Sequence, residues 1–347
     1  MQDDKFKVKY GNSKAERPRV LLPLSFGEGS VVLLDMVLSH LEEQCRNERA
    51  VQGYDLVVVH VGKDDSRLQQ IKQHYEGLLG RVRVEFATAD PSLFVRELGR
   101  LHVSEDYTSS VSEESETMDL EQMLAQFDNR SSQQDFLQQI VREMIHRAAI
   151  ARRCSVIIYG HSMTRLADET LALTVKGRGS EIFTRLTDGQ FEYANTSLHV
   201  IHPLRDVLLS EIKAYVRFSE LGQFVEPKPE IKHKSAKNKT IDELVREYFE
   251  TVESEYPEVI STVVKIGTKL DVPEGIPIEC VLCHELVYQD SKTWLEQMSE
   301  SANTESKSAV PLCYGCLVNV GVGQEVQWPL KRPSEQDILS EYIIQEE

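Results

Sequence analysis

The chain has 347 residues, enough for one large core or a core with a satellite domain. Its formal net charge is −17, with 41% hydrophobic and 27% charged residues. That balance excludes a globally basic nucleic-acid binder, so any phosphate-binding surface has to be local or supplied by a partner. No apolar run is long enough to cross a membrane, and the polar opening segment reads as neither a signal nor a transit peptide. Cysteines that are few and largely metal-spaced point to a reducing compartment, and a cytoplasmic protein is expected.

Residues 19–24 form a short apolar run that reads as a buried strand, followed by the turn Ser25-Phe26-Gly27-Glu28-Gly29-Ser30. Leu33, Leu34, Val37, Leu38 and Leu41 fall at helical spacing over 31–44. Strands are expected at 55–60 and 82–86, with a helix over 66–79 between them. This alternation is the pattern of a parallel sheet with helices on its faces. From about 104 to 134 the chain becomes rich in Ser and Glu and reads as an exposed, largely disordered acidic insertion. A phosphorylated or partner-binding loop is the alternative. Order returns in a helix over 136–153, with Ile140, Met144, Ile145 and Ala148 on its apolar side. A strand at 155–159 follows, closed by Gly160-His161-Ser162. A helix over 166–175, a strand at 198–201 and a helix over 206–219 complete an α/β domain spanning 15–225. A basic linker and helical periodicity over 241–264 occupy 226–275, a cysteine module 276–325, and an acidic tail 326–347.

Cys280-x-x-Cys283 and Cys313-x-x-Cys316 have the spacing of two zinc knuckles. Two sulfurs from each can meet at one tetrahedral ion, giving a zinc-ribbon-like module with residues 284–312 looped out. Four thiolates leave no open coordination position, so one structural zinc ion is expected. Free thiol pairs or two short disulfide loops are the alternatives. Cys154 directly precedes a strand and reads as a buried structural cysteine.

In open parallel sheets, ligands bind at the carboxyl ends of strands, where helix N-termini offer free N–H groups. The turn at 25–30 lies there, yet it lacks the Gly-Lys-Ser/Thr of a Walker A loop and fails Gly-x-Gly-x-x-Gly. It resembles the Ser-Gly-Gly-x-Asp-Ser loop of the ATP-pyrophosphatase family, also called adenine nucleotide alpha hydrolase-like. Ser25, Gly27 and Ser30 match; Phe26 replaces a glycine, Gly29 replaces the acid, and Glu28 adds a charge that repels phosphate. Gly160-His161-Ser162, then Asp168-Glu169-Thr170, resemble the family's later Gly-His-Asn motif and the helix behind it. Ser25, Gly27, Gly29, Ser30, Gly160 and His161 thus read as a degenerate ATP-loop remnant, with ATP bound weakly or not at all. His161 could bond adenine or phosphate, but the damaged loop favours a polar cap at a strand end.

Sulfur-transferring members of that family are tRNA thiolases that adenylate a uridine and deliver sulfur through cysteines. The resemblance places one such cysteine on the helix at 138–147 and a second near 223–227, and neither stretch contains one. A thiolate nucleophile has no substitute among the residues present there. The stretch Ile241-Asp242-Glu243-Leu244, then Pro257, Ser261-Thr262 and Lys269-Leu270, is similar to the cytoplasmic tRNA 2-thiolation protein 2 family. The resemblance covers roughly 15–325. Family members usually begin with further cysteine pairs; none precedes Cys45 here, so a second zinc site is not expected. The resemblance implies a non-catalytic subunit in a heterodimer with a catalytic thiolase paralogue. Together the two would 2-thiolate wobble uridine 34 of the Lys, Glu and Gln tRNAs, with sulfur from a ubiquitin-related carrier. The alternatives are an ATP-dependent tRNA-adenylating sulfurtransferase acting alone, or a zinc-ribbon interaction protein unrelated to tRNA.

Lys228, Lys232, Lys234, Lys237 and Lys239 form the densest basic run. They suit sequence-independent contact with tRNA phosphates, or they are a solvated linker. Arg142, Arg147, Arg152 and Arg153 are a second candidate, read as salt-bridged surface arginines.

Overall fold

The computed structural model describes residues 9–10, 17–46, 50–113, 116–227, 239–270, 277–288 and 310–343. β1 (Lys9–Tyr10) and β3 (Ala50–Val51) form a short antiparallel ladder. The centre is a six-stranded, mostly parallel sheet. β2 (Arg19–Pro23), β4 (Asp55–Val61), β5 (Val84–Ala89), β8 (Val156–Ile158) and β10 (Thr196–Ile201) run parallel. β9 (Gly189–Tyr193) closes one edge antiparallel to β10. The order is β5-β4-β2-β8-β10-β9, so the topology reverses between β2 and β8.

Both faces of the sheet are covered, which is why its strands read as continuous apolar runs. Val20, Leu22 and Val58 point into one core with Leu33, Val37 and Leu38 of α1 (Glu28–Gln44) and Ile212 of α8 (Leu209–Phe218). Leu21 and Val57 point the other way, toward Ile140, Met144 and Ala148 of α5 (Arg130–Ala151). The expected helix over 66–79 is two pieces, α2 (Ser66–His74) and α3 (Glu76–Leu79). They part at Tyr75, whose hydroxyl donates to Asp35 Oδ1 at 2.7 Å, while that of Tyr215 donates to Oδ2 at 2.7 Å. A third core joins α6 (Met163–Val175) and α7 (Ile182–Leu186) to α9 (Ile241–Glu255) and α10 (Pro257–Gly267). The periodicity over 241–264 breaks before Pro257, which lacks an N–H and so begins the second helix.

The acidic insertion differs most from expectation. Residues 104–134 hold β7 (Ser109–Ser112), α4 (Leu120–Ala125) and the first turn of α5. β7 pairs with β6 (Leu98–Val103), which pairs in turn with β13 (Glu325–Pro329), all antiparallel. The expected acidic tail at 326–347 therefore contributes a strand, and also α12 (Glu335–Ile343), which packs on α5. The physical reason is Trp328. Only 1% exposed, it packs its ring 5.2 Å from Phe94 and 4.9 Å from Phe136, and Phe136 stacks on Phe127 at 4.0 Å. The apolar residues of the insertion are few, but they complete a core whose other half arrives about two hundred residues later in the chain. No helix among the described residues is long and apolar enough to cross a membrane.

Candidate metal centre and the crevice between β2 and β8

The first cysteine pair sits in the turn between β11 (Ile278–Glu279) and β12 (Leu286–Val287). Cys280 N donates to Glu285 O at 2.9 Å and His284 N to Cys280 O at 2.9 Å, with His284 left-handed at φ 57°. The second pair opens α11 (Tyr314–Val320), where Cys313 is the N-cap and its sulfur accepts from Cys316 N at 3.3 Å. Cys313 N reaches across to Cys280 Sγ, also at 3.3 Å. All four cysteines are buried and their sulfurs lie within 4.8 Å of one another, with Cys283 and Cys313 at 3.6 Å. Tetrahedral thiolate coordination sets sulfurs about 3.8 Å apart. The donor set fits a single metal ion such as zinc.

A buried network of charges ties this module to the α/β body. Arg178 is 1% exposed. Its Nη2 and Nε meet Asp135 Oδ2 at 2.6 and 2.8 Å, and its Nη1 meets Glu181 Oε1 at 3.0 Å. The same guanidinium lies 3.6 Å from the sulfurs of Cys313 and of Cys316. Lys176, likewise buried, pairs with Asp135 at 3.4 Å and with Asp242 of α9 at 2.7 Å. Gly177 makes the approach possible: its φ is +73°, and a Cβ there would stand 2.7 Å from the Tyr314 ring. A Cβ at Gly315 would meet the Arg178 stem at 2.5 Å.

The turn at 25–30 follows β2 and Gly160-His161 follows β8, so both lie at the reversal of strand order. There the two backbones touch. A Cβ on Gly29 would be 2.1 Å from Gly160 O, and one on Gly160 2.6 Å from Gly29 O. Phe26 adopts φ 57° and is 3% exposed; its ring sits 4.6 Å from that of His60, and its carbonyl accepts from Glu226 N at 2.8 Å. Ser25 and Ser30 bond to each other at 3.2 Å, and Ser30 also donates to Gly27 O at 3.0 Å. Glu28 places a carboxylate in the first turn of α1.

His161 clusters with Tyr159 at 5.2 Å and His202 at 5.6 Å, both rings tilted to its own, with Nδ1 shielded from solvent and 3.5 Å from Glu169. Burial pushes its pKa down to about 3, against the pull of Glu169 and helped by His202, Arg165 and Arg185. Behind it a polar cleft with room for about one water, roughly 20 Å³, is lined by Gln138, Gln139, Arg165, Glu169, Lys176 and Arg185, among others. Burial pushes the Cys154 thiol up to about 12, so it stays protonated and unreactive.

Of the basic run, Lys228, Lys232, Lys234 and Lys237 lie outside the described residues, and Lys239 pairs with Glu247 at 2.6 Å. Arg142, Arg147, Arg152 and Arg153 together are not a surface stripe. Arg147 is buried against Glu143 at 3.0 Å, Arg142 pairs with Glu285 of the first knuckle, and Arg152 pairs with Glu85 at 2.9 Å; Arg153 alone is exposed. The sequence reading missed Asp135, Lys176, Arg178 and Glu181. Their one local signal is Lys176-Gly177-Arg178-Gly179, cations alternating with glycines at a helix end.

A sequence model of the family described as cytoplasmic tRNA 2-thiolation protein 2 matches residues 240–318, from α9 to α11. A protein of that name from Debaryomyces hansenii is 35% identical across 99% of this chain and 88% of its own length. One from Scheffersomyces stipitis is 33% identical across 99% and 88%. Among solved structures, the U34-tRNA thiolase NcsA from Methanococcus maripaludis, with its [4Fe-4S] cluster, superposes with a TM-score of 0.52 at 16% identity. It covers 88% of this chain and 86% of its own, a likeness of fold. With identity at that level over nearly the whole chain, this protein belongs to the cytoplasmic tRNA 2-thiolation protein 2 family.

Proposed function

We propose that this chain is a non-catalytic subunit that pairs with a catalytic thiolase paralogue in the cytoplasm. The complex 2-thiolates wobble uridine 34 of the Lys, Glu and Gln tRNAs, taking sulfur from a ubiquitin-related carrier. The observation that carries the reading is the crevice at the reversal of strand order. Phe26 fills the position where a glycine would let backbone approach phosphate, and its ring is buried. The two serines are spent on each other, and Glu28 opposes a phosphate charge. No cysteine stands on α5 or between α8 and α9 to relay sulfur. The chain's role is then to shape the complex and its tRNA surface, with the basic run from Lys228 to Lys237 touching phosphate.

The bound ion is proposed to be zinc, one per chain and structural. Four sulfurs this close suit one ion, whereas a four-iron cube needs its cysteine sulfurs set further apart. When bound, zinc supplies cross-linking and no open site for substrate.

The test uses the purified full chain, alone and mixed with the paralogue that copurifies with it. ATP binding and uridine 34 thiolation are measured for each. Neither activity is expected from the chain alone, and thiolation is expected from the pair. Thiolation by the isolated chain would overturn the reading in favour of a self-sufficient sulfurtransferase.

A further inference from the structure

We infer that Arg178 is the counter-charge of the metal centre, a positioning residue through which the α/β body controls how tightly the cysteine module holds its ion. This rests on the metal reading of Cys280, Cys283, Cys313 and Cys316.

Four thiolates around a divalent ion carry a net charge of about −2, and burying that charge is costly unless it is compensated. Backbone donors meet part of the need: Cys313 N points at Cys280 Sγ and Cys316 N at Cys313 Sγ, both at 3.3 Å. The module itself brings no cation to its sulfurs among the described hydrogen bonds. Arg178 does, from the loop after α6, with Nη1 at 3.6 Å from Cys313 and Nη2 at 3.6 Å from Cys316. The fork reaches each sulfur of the second knuckle with a separate nitrogen, in a fixed planar geometry that an ammonium does not reproduce.

The fork is held in place from behind. Asp135 takes Nε and Nη2, and Glu181 takes Nη1. Gly177 and Gly315 remove the side chains that would bar the approach. Asp135 is shared with Lys176, which anchors α9 through Asp242. A purely structural salt bridge would need only the carboxylates. The two sulfur contacts are what give the arginine a second role, because outer contacts of this kind set ligand orientation and metal affinity.

The experiment compares Arg178→Met, Arg178→Gln and Lys176→Met in the full-length protein. Lys176→Met breaks the same network without touching sulfur. Metal affinity is measured by competition with a chromophoric chelator, and the sulfur-to-metal charge-transfer band is recorded on cobalt(II)-loaded protein. Arg178→Met should weaken metal binding by about 10- to 100-fold and shift the cobalt band. Lys176→Met should lower the melting temperature while leaving affinity and band in place. If Arg178→Met does not fold, Arg178→Gln decides, since it keeps a polar side chain and removes the charge. A several-fold loss of affinity with a shifted band supports the assignment. Wild-type affinity and an unshifted band in a folded Arg178→Gln protein overturn it. A wild-type chain that binds no metal overturns the metal reading itself, a separate and distinguishable result.

Discussion

The cysteine module and the crevice between β2 and β8 both lie where the fold brings distant segments together, and their side chains are arranged in opposite ways. The module keeps all four donors, buries them, and brings a cation from another part of the fold to their sulfurs. The crevice brings two backbones into contact and turns its polar side chains on one another. Gly29 and Gly160 are still required, because each stands where any Cβ would strike the other's carbonyl. The side chains around them now close the site: Phe26 inward, Ser25 to Ser30, and Glu28 at the helix start. Glycines fixed by a backbone contact are required whether or not a ligand binds, whereas the side chains beside them decide what the crevice could hold. Motif fragments are therefore evidence of fold, and the residues between the fragments are evidence of activity.

Breaking the module should have the largest effect. Cys280→Ser should abolish stoichiometric metal binding and unfold the C-terminal strands, since structural zinc sites contribute on the order of 10 kcal/mol to small domains. Metal content by emission spectroscopy and urea unfolding should fall together. Lost metal with unchanged stability would show that the ion is not structural.

The crevice should respond more weakly, and without gaining function. Phe26→Gly removes a buried ring, worth about 3–5 kcal/mol, and relieves a left-handed backbone, worth about 1–2 kcal/mol. The net expectation is a loss of about 2 kcal/mol in denaturant unfolding with no ATP binding by calorimetry, because Glu28 and the paired serines remain. Micromolar ATP binding by this variant would mean that one residue alone separates the crevice from a nucleotide site.

The sequence made the two sites legible to different degrees. The knuckles announce themselves locally, since three-residue spacing fixes which sulfurs face one way. The crevice was legible as strand, turn and helix, and Phe26 stood out against the glycine it replaces. What joins the sites was not legible. Arg178 meets residues 43 positions before it and 138 after it, and no window holds both. The same distance hid the pairing of β6 with β13, so an acidic stretch lacking apolar runs passed for disorder. Arg147 was misjudged for a related reason: its partner Glu143 is one turn away and visible, but the burial of the pair comes from Tyr193 and Phe94, far along the chain.

The smallest expected effect sharpens the contrast by asking whether the crevice still matters to folding. His161 has its pKa pushed from the ordinary 6.5 down to about 3, chiefly by burial. His146 is pushed down as well, by burial and then by Arg142, Arg332 and Arg185. For a histidine held neutral in the folded state, the unfolded chain takes up a proton first as the pH falls. Its contribution is therefore complete above about pH 6.5 and is lost progressively toward pH 3. Glu169, which faces His161, has its own pKa lowered, so its stabilisation also disappears on acidification. The groups that face His161 thus share one sign, and stability should decline across this window. His161→Gln removes one titrating group and should flatten the slope by at most about 1.4 kcal/mol per pH unit. Urea unfolding repeated across the window measures it. An unchanged slope would place the acid sensitivity on His146 and the buried carboxylates instead, leaving the crevice a packing contact with no electrostatic role.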